Sequence, residues 1–523
     1  MRNETGISGL PVGYRVVVIT LDAHSAGPCD RAAARLLADF PGLSVDVHAA
    51  AEWGENPQAL VEAKAAIATA DIILVNLLFL EEHVQAILPS LEARRAGCDA
   101  LAGVISDAAI VKLTRMGTLD MLAPASGTMA LLKRLRGSSK PSSQNGESKM
   151  RMLRRLPKIL KYIPGKAQDL RAWFMVMQYW LGGSDTNIES MLRFLISRYC
   201  RIEAWQNCAA APPEDYPEVG LYHPDLPGKM TTDITALPVP QKPVATVGLL
   251  LMRSYVLSDD TAHYDAVIRN FEANGLKVIP AFAGGLDARP AIEGYFQGTA
   301  GVQIDAMVSL TGFSLVGGPA YNNSQAAIAL LENLDVPYIA AHPLEFQTLG
   351  QWANAEQGLG PIETTMLIAL PELDGATCPT VFAGRHGPEG CRGCLHKCQA
   401  AAQSRAMAPC HERIDSLAEK TLRAARLRQK RNHDKNVAIV LFGFPPNAGA
   451  TGTAAYLDVF ESLQNTLMQM KADGYDVALP ETVAHLRAAV LEGNAKQYGQ
   501  EANVEAIVSA EEIVRSTPPL KAI

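Results

Sequence analysis

The sequence predicts a multidomain α/β protein in which open, parallel-sheet (Rossmann-like) units are joined by helical linkers, with a Cys-rich insert. Three observations favour this class. Short apolar runs alternate with helical segments over residues 15–105 and again from Val244 onward, a pattern typical of parallel strands covered on both faces. The length of 523 residues suggests about three domains. Four cysteines crowd into residues 391–410, whereas the others are scattered.

The composition excludes several classes of protein. Charged residues make up 19% of the chain and hydrophobic residues 48%, which excludes wholesale disorder. The formal net charge of −7 is not the charge of a nucleic-acid-binding protein. The longest apolar stretches are Ile72–Leu80 and Ala172–Leu181, about half of what a membrane span needs. We therefore expect a cytoplasmic chain with no transmembrane segment and no nucleic-acid partner.

The first alternating unit predicts an N-terminal head domain over residues 14–130. Strands are predicted at Arg15–Thr20, Ser44–His48, Asp71–Leu80 and Leu101–Ile105. Helices are predicted at Arg31–Asp39, Pro57–Ala70 and Glu81–Arg95. Because the strands and helices alternate, we expect the strands to be parallel.

Residues 131–172 predict a basic linker followed by an amphipathic helix. Between Leu131 and Arg171 there are twelve Lys or Arg residues and two acidic ones. This charge suits an anionic partner, a membrane surface or substrate carboxylates, and it equally suits a solvated face. A helical and Pro-rich connector is predicted over residues 173–243.

The second alternating unit predicts another α/β domain over residues 244–375. Its strands are predicted at Val247–Met252, Leu276–Ala281, Asp305–Leu310 and Pro337–Ala341. The loops that follow predicted strands carry Arg253–Tyr255, residues 282–285, residues 311–319 and His342-Pro343. Open α/β sheets bind ligands at such loops, although the glycines also suit ordinary turns. His263 either contacts a substrate there or belongs to the cap region of a helix.

A Cys-rich insert and a basic helix are predicted over residues 376–434. Cys391, Cys394 and Cys398 follow a C-x2-C-x3-C spacing, which lets three thiolates meet at one centre. The fourth ligand is Cys410 or Cys378, with His396 and His411 as alternatives. Soft thiolate ligands favour an Fe–S cluster or a structural Zn site, and the alternative is a surface turn with reduced thiols.

Residues 435–523 predict the start of a further domain. A strand over Asn436–Phe442 leads into a Gly-rich loop at residues 443–453 and then a helix over Ala454–Met470. Backbone N–H groups of such a loop suit a carboxylate or another anion, although the loop could also serve only as a turn. The candidate binding residues are Phe444, Pro445, Asn447, Gly449, Gly452 and Thr453.

This loop also carries a resemblance to a known family. The stretch Phe444–Asp458 closely resembles a motif of the large subunits of magnesium and cobalt chelatases. Tyr179–Phe194 resembles another segment that these subunits share, and so do Thr311–Pro319, His342-Pro343 and Gly384-Arg385. The N-terminal unit is similar to the extra head domain of the magnesium branch. The Cys-rich insert resembles versions from bacteriochlorophyll-making bacteria.

The resemblance implies a function in chlorophyll or bacteriochlorophyll biosynthesis, and hence in photosynthesis. The family's large subunit binds protoporphyrin IX, and Mg2+ enters the macrocycle there, so the enzyme is a ligase that forms nitrogen–metal bonds. Two AAA+-type partner subunits, I and D, hydrolyse ATP. A downstream Mg-protoporphyrin methyltransferase is a further partner that the resemblance suggests.

Members of this family are more than twice as long, and later domains form most of their chelation cavity. We therefore expect a fragment or a natural truncation, and we assign no catalytic base and no Mg2+ ligand to this sequence. The isolated chain is expected not to insert Mg2+. The alternatives are a porphyrin carrier or scaffold, a cobalt-chelatase-like subunit, and a redox sensor that uses the cysteines.

Overall fold

The computed structural model describes residues 13–21, 25–54, 56–123, 160, 163, 165–206, 208–298, 301–318, 321–387, 390–391, 394, 406–441, 453–454, 457–491 and 508–516. The chain forms two compact units, residues 1–425 and residues 426–523. The finer division into six domains stays a prediction. No helix among the described residues is both long and apolar enough to cross a membrane.

The first sheet of unit 1, here called the head sheet, has six strands in the order β2-β1-β3-β4-β5-β6. The strands are β1 (Tyr14–Thr20), β2 (Leu43–Ala49), β3 (Ile72–Asn76), β4 (Ala100–Val104), β5 (Arg115–Met116) and β6 (Leu119–Asp120). Strands β1 to β4 are parallel, and β5 and β6 add an antiparallel hairpin. Strand β3 is shorter than predicted, because Leu77 adopts a φ of 54° and turns the chain out of the ladder.

Helices cover both faces of the head sheet, which explains why its strands are nearly continuous apolar runs. The helices are α1 (Ala26–Leu36), α2 (Pro57–Thr69), α3 (Glu81–Arg95), α4 (Ala108–Lys112), α5 (Lys166–Gly182) and α6 (Asp185–Tyr199), with a 3-10 turn at Ala50–Glu52 and another at Glu203–Trp205. Helices α2, α3 and α4 pack on Val17, Ile19 and Ile73. Helices α1, α5 and α6 pack on Val16 and Val18. The helices predicted as a connector thus complete the core of the head.

The second sheet has eight strands in the order β18-β17-β16-β13-β9-β10-β7-β8. The strands are β7 (Val219–Tyr222), β8 (Met230–Thr231), β9 (Ala245–Met252), β10 (Leu276–Ala283), β13 (Ala306–Ser309), β16 (Tyr338–Thr348), β17 (Thr377–Arg385) and β18 (Ala408–Pro409). The five central strands are parallel, and the edge strands β7, β8 and β18 are antiparallel. Two small hairpins lie beside it: β11 (Gln297–Gly298) with β12 (Gly301–Val302), and β14 (Gly317–Gly318) with β15 (Tyr321–Asn322).

The second sheet is also covered on both faces. Its helices are α7 (Arg253–Leu257), α8 (Ala262–Ala273), α9 (Arg289–Tyr295), α10 (Ser324–Leu334), α11 (Leu349–Asn354), α12 (Pro361–Glu363), α13 (Leu370–Asp374) and α14 (His411–Gln429), with a π-helix at Thr364–Ala369 and a 3-10 turn at Ile234–Ala236. Helices α8 and α14 pack on one face, and α9 and α10 pack on the other. Two mainly parallel sheets covered by helices confirm the predicted multidomain α/β class, and the Cys-rich insert stays a prediction.

Unit 2 contains a hairpin and three helices among its described residues. They are β19 (Thr453–Ala454), β20 (Leu457–Asp458), α15 (Val459–Ala472), α16 (Val483–Leu491) and α17 (Ala510–Ser516), with a 3-10 turn at Asn432–Asp434. The strand predicted from Asn436 is wrong for residues 436–441, which have no regular structure. Val440 is 91% exposed, and no strand of this unit's described residues pairs with the segment. Apolar character alone therefore does not make a strand without a neighbour.

Candidate functional site

The carboxyl edge of the second sheet brings together the loops that the sequence singled out. Because β9, β13, β16 and β17 are parallel, their last residues lie at the same edge. The chain runs outward from β9 to β10 and then returns to β13 on the other side of β9. The strand order therefore reverses between β9 and β13, and ligands of open α/β sheets bind in the crevice at such a point.

A small pocket lies at this crevice. It has a volume of ≈ 30 Å³, and Leu250, Met252, Leu286, Thr311 and Phe313 are among the residues that line it. A space of this size holds roughly one water molecule. The pocket can accept a polar atom or a small apolar group, but it is too small to enclose a macrocycle.

Arg253, one of the predicted loop residues, directs its guanidinium to backbone carbonyl groups. Its guanidinium donates hydrogen bonds to the carbonyls of Pro217 (2.8 Å), Tyr216 (3.1 Å) and Leu181 (3.4 Å). These carbonyls belong to the connector between the two sheets. Arg253 therefore fastens the connector to the end of β9.

Three charged or polar side chains form a cluster at the ends of β16 and β17. The hydroxyl of Tyr255 donates to a carboxylate oxygen of Glu345. Arg385 Nη2 lies 3.2 Å from the other carboxylate oxygen, and its Nη1 donates to the Glu345 carbonyl at 2.8 Å. Burial, and then the charge of Glu345, raise the pKa of Tyr255, so the phenol stays a hydrogen-bond donor. The cluster offers a fixed phenol, carboxylate and guanidinium beside the crevice.

A buried carboxylate binds the last part of β16, which carries Glu345 of this cluster. Glu363 is 1% exposed, and its Oε1 accepts the amides of Phe346 (3.0 Å), Glu345 (3.1 Å) and Gln347 (3.4 Å). Burial raises the pKa of Glu363, although these three amide hydrogen bonds oppose the shift. Sequence reasoning missed this residue, because nothing in its spacing relates it to a segment 16 to 18 residues earlier.

Asp374 holds the loop that follows β13 in the same way, by accepting hydrogen bonds from it. Its Oδ2 accepts the Ser314 hydroxyl at 2.6 Å and the Leu315 amide at 2.9 Å. Burial raises the pKa of Asp374. The last part of β16 and the loop after β13 are thus fixed by side chains from α12 and α13, which lie on either side of the π-helix.

His263 and His342 are buried rather than presented to a ligand. His263 is fully buried near the start of α8, between the rings of Tyr255 (5.1 Å between centroids) and Phe382 (5.8 Å). Neither ring nitrogen of His263 has a hydrogen-bond partner among the described residues. Burial lowers the pKa of His263 to about 3 and that of His342 to about 4. Both imidazoles are therefore neutral at physiological pH.

The cysteines predicted to bind a metal are only partly described. Cys410 is buried and packs with Leu344, Leu349 and Val381, and Cys391 packs against the same cluster. Cys394 is half-buried and Cys378 is exposed, whereas Cys398 lies outside the described residues. Within the described part of the chain, no group of three or more possible ligands is placed to hold a metal ion. The shared position of Cys391 and Cys410 fits a common centre, and the ligand set stays a prediction.

The predicted Gly-rich loop lies almost wholly outside the described residues. This applies to Phe444, Pro445, Asn447, Gly449 and Gly452. Thr453 is described, and it begins β19 opposite Asp458. Helix α15 begins after this hairpin at Val459, later than predicted, and the Asp458 carboxylate caps it by accepting the Glu461 amide at 3.0 Å. Anion binding by this loop stays a prediction.

Comparison with known proteins identifies the family. A model of the family described as CobN/Magnesium Chelatase matches residues 177–520, and one described as a domain of unknown function matches residues 15–174. The chain is 63% identical over 517 residues to the magnesium-chelatase H subunit of Cereibacter sphaeroides, covering 98% of this chain and 43% of that protein. It is 29% identical over 325 residues to the aerobic cobaltochelatase subunit CobN of Pseudomonas aeruginosa, covering 60% of this chain and 24% of that protein.

Among solved structures, the catalytic subunit of cobaltochelatase from Mycobacterium tuberculosis aligns with 92% of this chain and 33% of its own, at 17% identity and a TM-score of 0.48. The chain spans less than half the length of the magnesium-chelatase relatives that it matches. The family match over residues 177–520 and the 63% identity to a magnesium-chelatase H subunit confirm the resemblance that the sequence motifs indicated. This chain belongs to the CobN/magnesium chelatase family.

Proposed function

We propose that the chain is the N-terminal portion of the porphyrin-binding large subunit of a magnesium chelatase. In this function the enzyme inserts Mg2+ into protoporphyrin IX, in the cytoplasm, on the route to bacteriochlorophyll or chlorophyll. The observation that carries the proposal is the 63% identity to a magnesium-chelatase H subunit over 98% of this chain. The lower identity of 29% to a cobaltochelatase subunit favours magnesium over cobalt. These identities favour a chelatase over a separate carrier, scaffold or redox sensor.

The geometry supports a contribution to binding rather than the whole reaction. Metal insertion needs a base for the pyrrole protons and a pocket that excludes water. The pocket of ≈ 30 Å³ at the second sheet does not meet the second need. A propionate of the macrocycle would compete with Glu345 for the guanidinium of Arg385, because a guanidinium pairs well with a carboxylate.

Fluorescence quenching tests porphyrin binding directly. Protoporphyrin IX titrated with this chain is expected to show saturable quenching at micromolar protein. Arg385→Gln is expected to weaken binding, whereas Arg269→Gln, which removes an arginine from an exposed pair with Asp225 (2.6 Å), is not. Absence of quenching by the folded chain would refute porphyrin binding by this portion.

We propose that two AAA+-type subunits, I and D, supply ATP hydrolysis, and that a methyltransferase receives the product. The support is the resemblance of the motifs and the subunit designation of the relatives. When this chain replaces a full-length large subunit in an assay with both partner subunits, Mg2+ and ATP, we expect no Mg-protoporphyrin to form. Appearance of the product's fluorescence would contradict that expectation and place the catalytic groups within these residues.

We also propose that Cys391, Cys394, Cys398 and Cys410 hold a zinc ion or an Fe–S cluster, which would fix the fold of the insert. The packing of Cys391 and Cys410 in one cluster supports this set over one with the exposed Cys378. Elemental analysis after anaerobic purification is expected to find zinc or iron. Cys410→Ser is expected to lose the metal, and the matched variant Cys378→Ser is expected to keep it. A metal-free, folded wild type would overturn the proposal.

A further inference from the structure

A tight turn over residues 258–261 ends helix α7. The amide of Asp260 donates to the Tyr255 carbonyl at 3.1 Å and the amide of Asp259 to the Val256 carbonyl at 3.4 Å. This pair of bonds is a Schellman motif, in which the residue after the cap takes a left-handed conformation. Asp259 takes it here, with a φ of 56°. The turn is therefore held firmly at the end of its helix.

One side of the turn contacts the head. Arg31 of α1 donates to the carbonyl of Ser258 at 2.9 Å. The same guanidinium forms two hydrogen bonds of 2.7 Å with the carboxylate of Asp185, at the start of α6. Arg31 thus joins two helices of the head to the backbone of the turn.

The other side of the turn contacts the segment that follows the cysteines. The carboxylate of Asp260 accepts the amide of Met407, with its two oxygens at 3.0 and 3.3 Å. Met407 is 2% exposed and directly precedes β18, whose Pro409 leads to the buried Cys410. The charges of Arg385, Glu345 and Arg31 also act on Asp260.

We propose that the 258–261 turn couples the docking of the head to the seating of residues 406–410, so that loosening either contact loosens the other. Ser258 and Asp260 are two residues apart in a hydrogen-bonded turn, so a shift of the Ser258 carbonyl moves the backbone that carries the Asp260 carboxylate. Coupling of this kind is reciprocal by thermodynamic necessity. It does not depend on the proposed chelatase function, and it makes the insert able to influence the head at a distance.

Hydrogen exchange on the full chain tests the coupling from both sides. Asp260→Ala removes the acceptor for the Met407 amide, and exchange of residues 406–410 is expected to rise about tenfold. The decisive observation is that hydrogen exchange at the start of α6 also rises in Asp260→Ala. Conversely, Arg31→Met is expected to raise exchange at residues 406–410, which Arg31 does not touch.

Asp259→Asn is the matched control in the same turn. It removes the ion pair of Asp259 with Lys229 (2.6 Å), both of which are exposed, and Asn tolerates the left-handed conformation. This variant keeps the hydrogen bonds of Ser258 and Asp260 and removes only a charge that acts on Arg31, so it is expected to change exchange at both ends far less than Asp260→Ala does. The double variant Arg31→Met, Asp260→Ala completes a cycle. Strictly additive effects, or a rise confined to the contact that was removed, would overturn the proposal.

Discussion

The head sheet and the second sheet share one framework and differ at the edge where ligands bind. In both, a central strand is flanked by the next two strands, as β2-β1-β3 in the head and β10-β9-β13 in the second sheet. Both also carry an aspartate directly before the third strand. Asp71 accepts the amide of Arg15 at 2.8 Å, and Asp305 accepts the amide of Thr246 at 2.8 Å. In each case the aspartate's own amide donates back to the carbonyl of the same partner.

The carboxyl edges of the two sheets have different chemistry. After β3 and β4 the head has two apolar residues with left-handed backbones, Leu77 at a φ of 54° and Ile105 at 44°. The second sheet has the polar cluster of Tyr255, Glu345 and Arg385 at the corresponding edge. A shared framework therefore does not imply a shared ligand, because the residues after the strands determine what binds.

The largest expected effect comes from replacing a strand glycine by alanine in each sheet, because the two glycines have different neighbours. A Cβ at Gly103 in β4 would lie 2.7 Å from the backbone oxygen of Ile110, whereas one at Gly248 in β9 would meet the ring of Phe296 at 2.7 Å. Backbone cannot move aside as a ring can. We expect Gly103→Ala to destabilise the head by about 3 kcal/mol or more and Gly248→Ala to cost about 1–2 kcal/mol. Native-state hydrogen exchange of β1 and β9 measures both, and equal costs would contradict the comparison.

A smaller effect is expected at the paired aspartates. Asp71 is 4% exposed and binds Arg201 at 2.6 Å in addition to the backbone, whereas the described contacts of Asp305 are to backbone. Asp71→Ala leaves the Arg15 amide without its acceptor and leaves Arg201 with its longer pair to Asp99 (3.3 Å), which should cost about 1–3 kcal/mol. Asp305→Ala should cost about 1 kcal/mol. Unfolding in guanidinium, followed separately in each sheet by hydrogen exchange, checks the order; a larger cost at Asp305 would refute it.

The smallest effect is a pH dependence of opposite sign in the two regions. Burial raises the pKa of Asp260 to about 6, with the Met407 amide and Arg385 opposing. Burial also acts on Asp169 in the head, but hydrogen bonds from Thr118, Arg198 and Tyr199 lower its pKa. Because the folded state binds this proton more readily than the unfolded chain, Asp260 makes the fold more stable as the pH falls through about 6. The stability from Asp169 is present at neutral pH and is lost only in acid, as the pH falls through its lowered pKa.

Comparing wild type with Asp260→Asn at pH 7.5 and pH 5.0 isolates the first of these effects. The wild type should gain on the order of 1–2 kcal/mol over the variant on acidification. Asp169→Asn, the control in the head, should change stability equally at both pH values. A constant difference for Asp260→Asn would mean that this carboxyl titrates as it does in the unfolded chain.

Local patterns in the sequence predicted most strands of the two sheets, but they did not predict contacts between residues that are distant in sequence. The alternation of apolar runs was enough to predict most parallel strands, since burial on both faces demands continuous apolar residues. The segment over residues 436–441 has the same pattern and forms no strand, because a strand needs a neighbour that periodicity does not report. In the site, the segments after β9, β10 and β13 were predicted, whereas the loop predicted at His342-Pro343 is wrong because these residues lie inside β16. Glu363 and Asp374 were not predicted. Their function depends on contacts with loops distant in sequence.

The helices that close the head have a consequence for the order in which the protein is made. The last strand of the head sheet ends at Asp120, but α5 and α6, which cover Val16 and Val18, end only at Tyr199. A ribosome adding roughly 5–20 residues per second needs about 4–16 seconds for the roughly 80 residues between these points. During that interval α1 alone covers one apolar face of a nearly complete sheet, and the part of that face under α5 and α6 is open to water. The nascent head is therefore a natural substrate for a chaperone until its own later helices arrive.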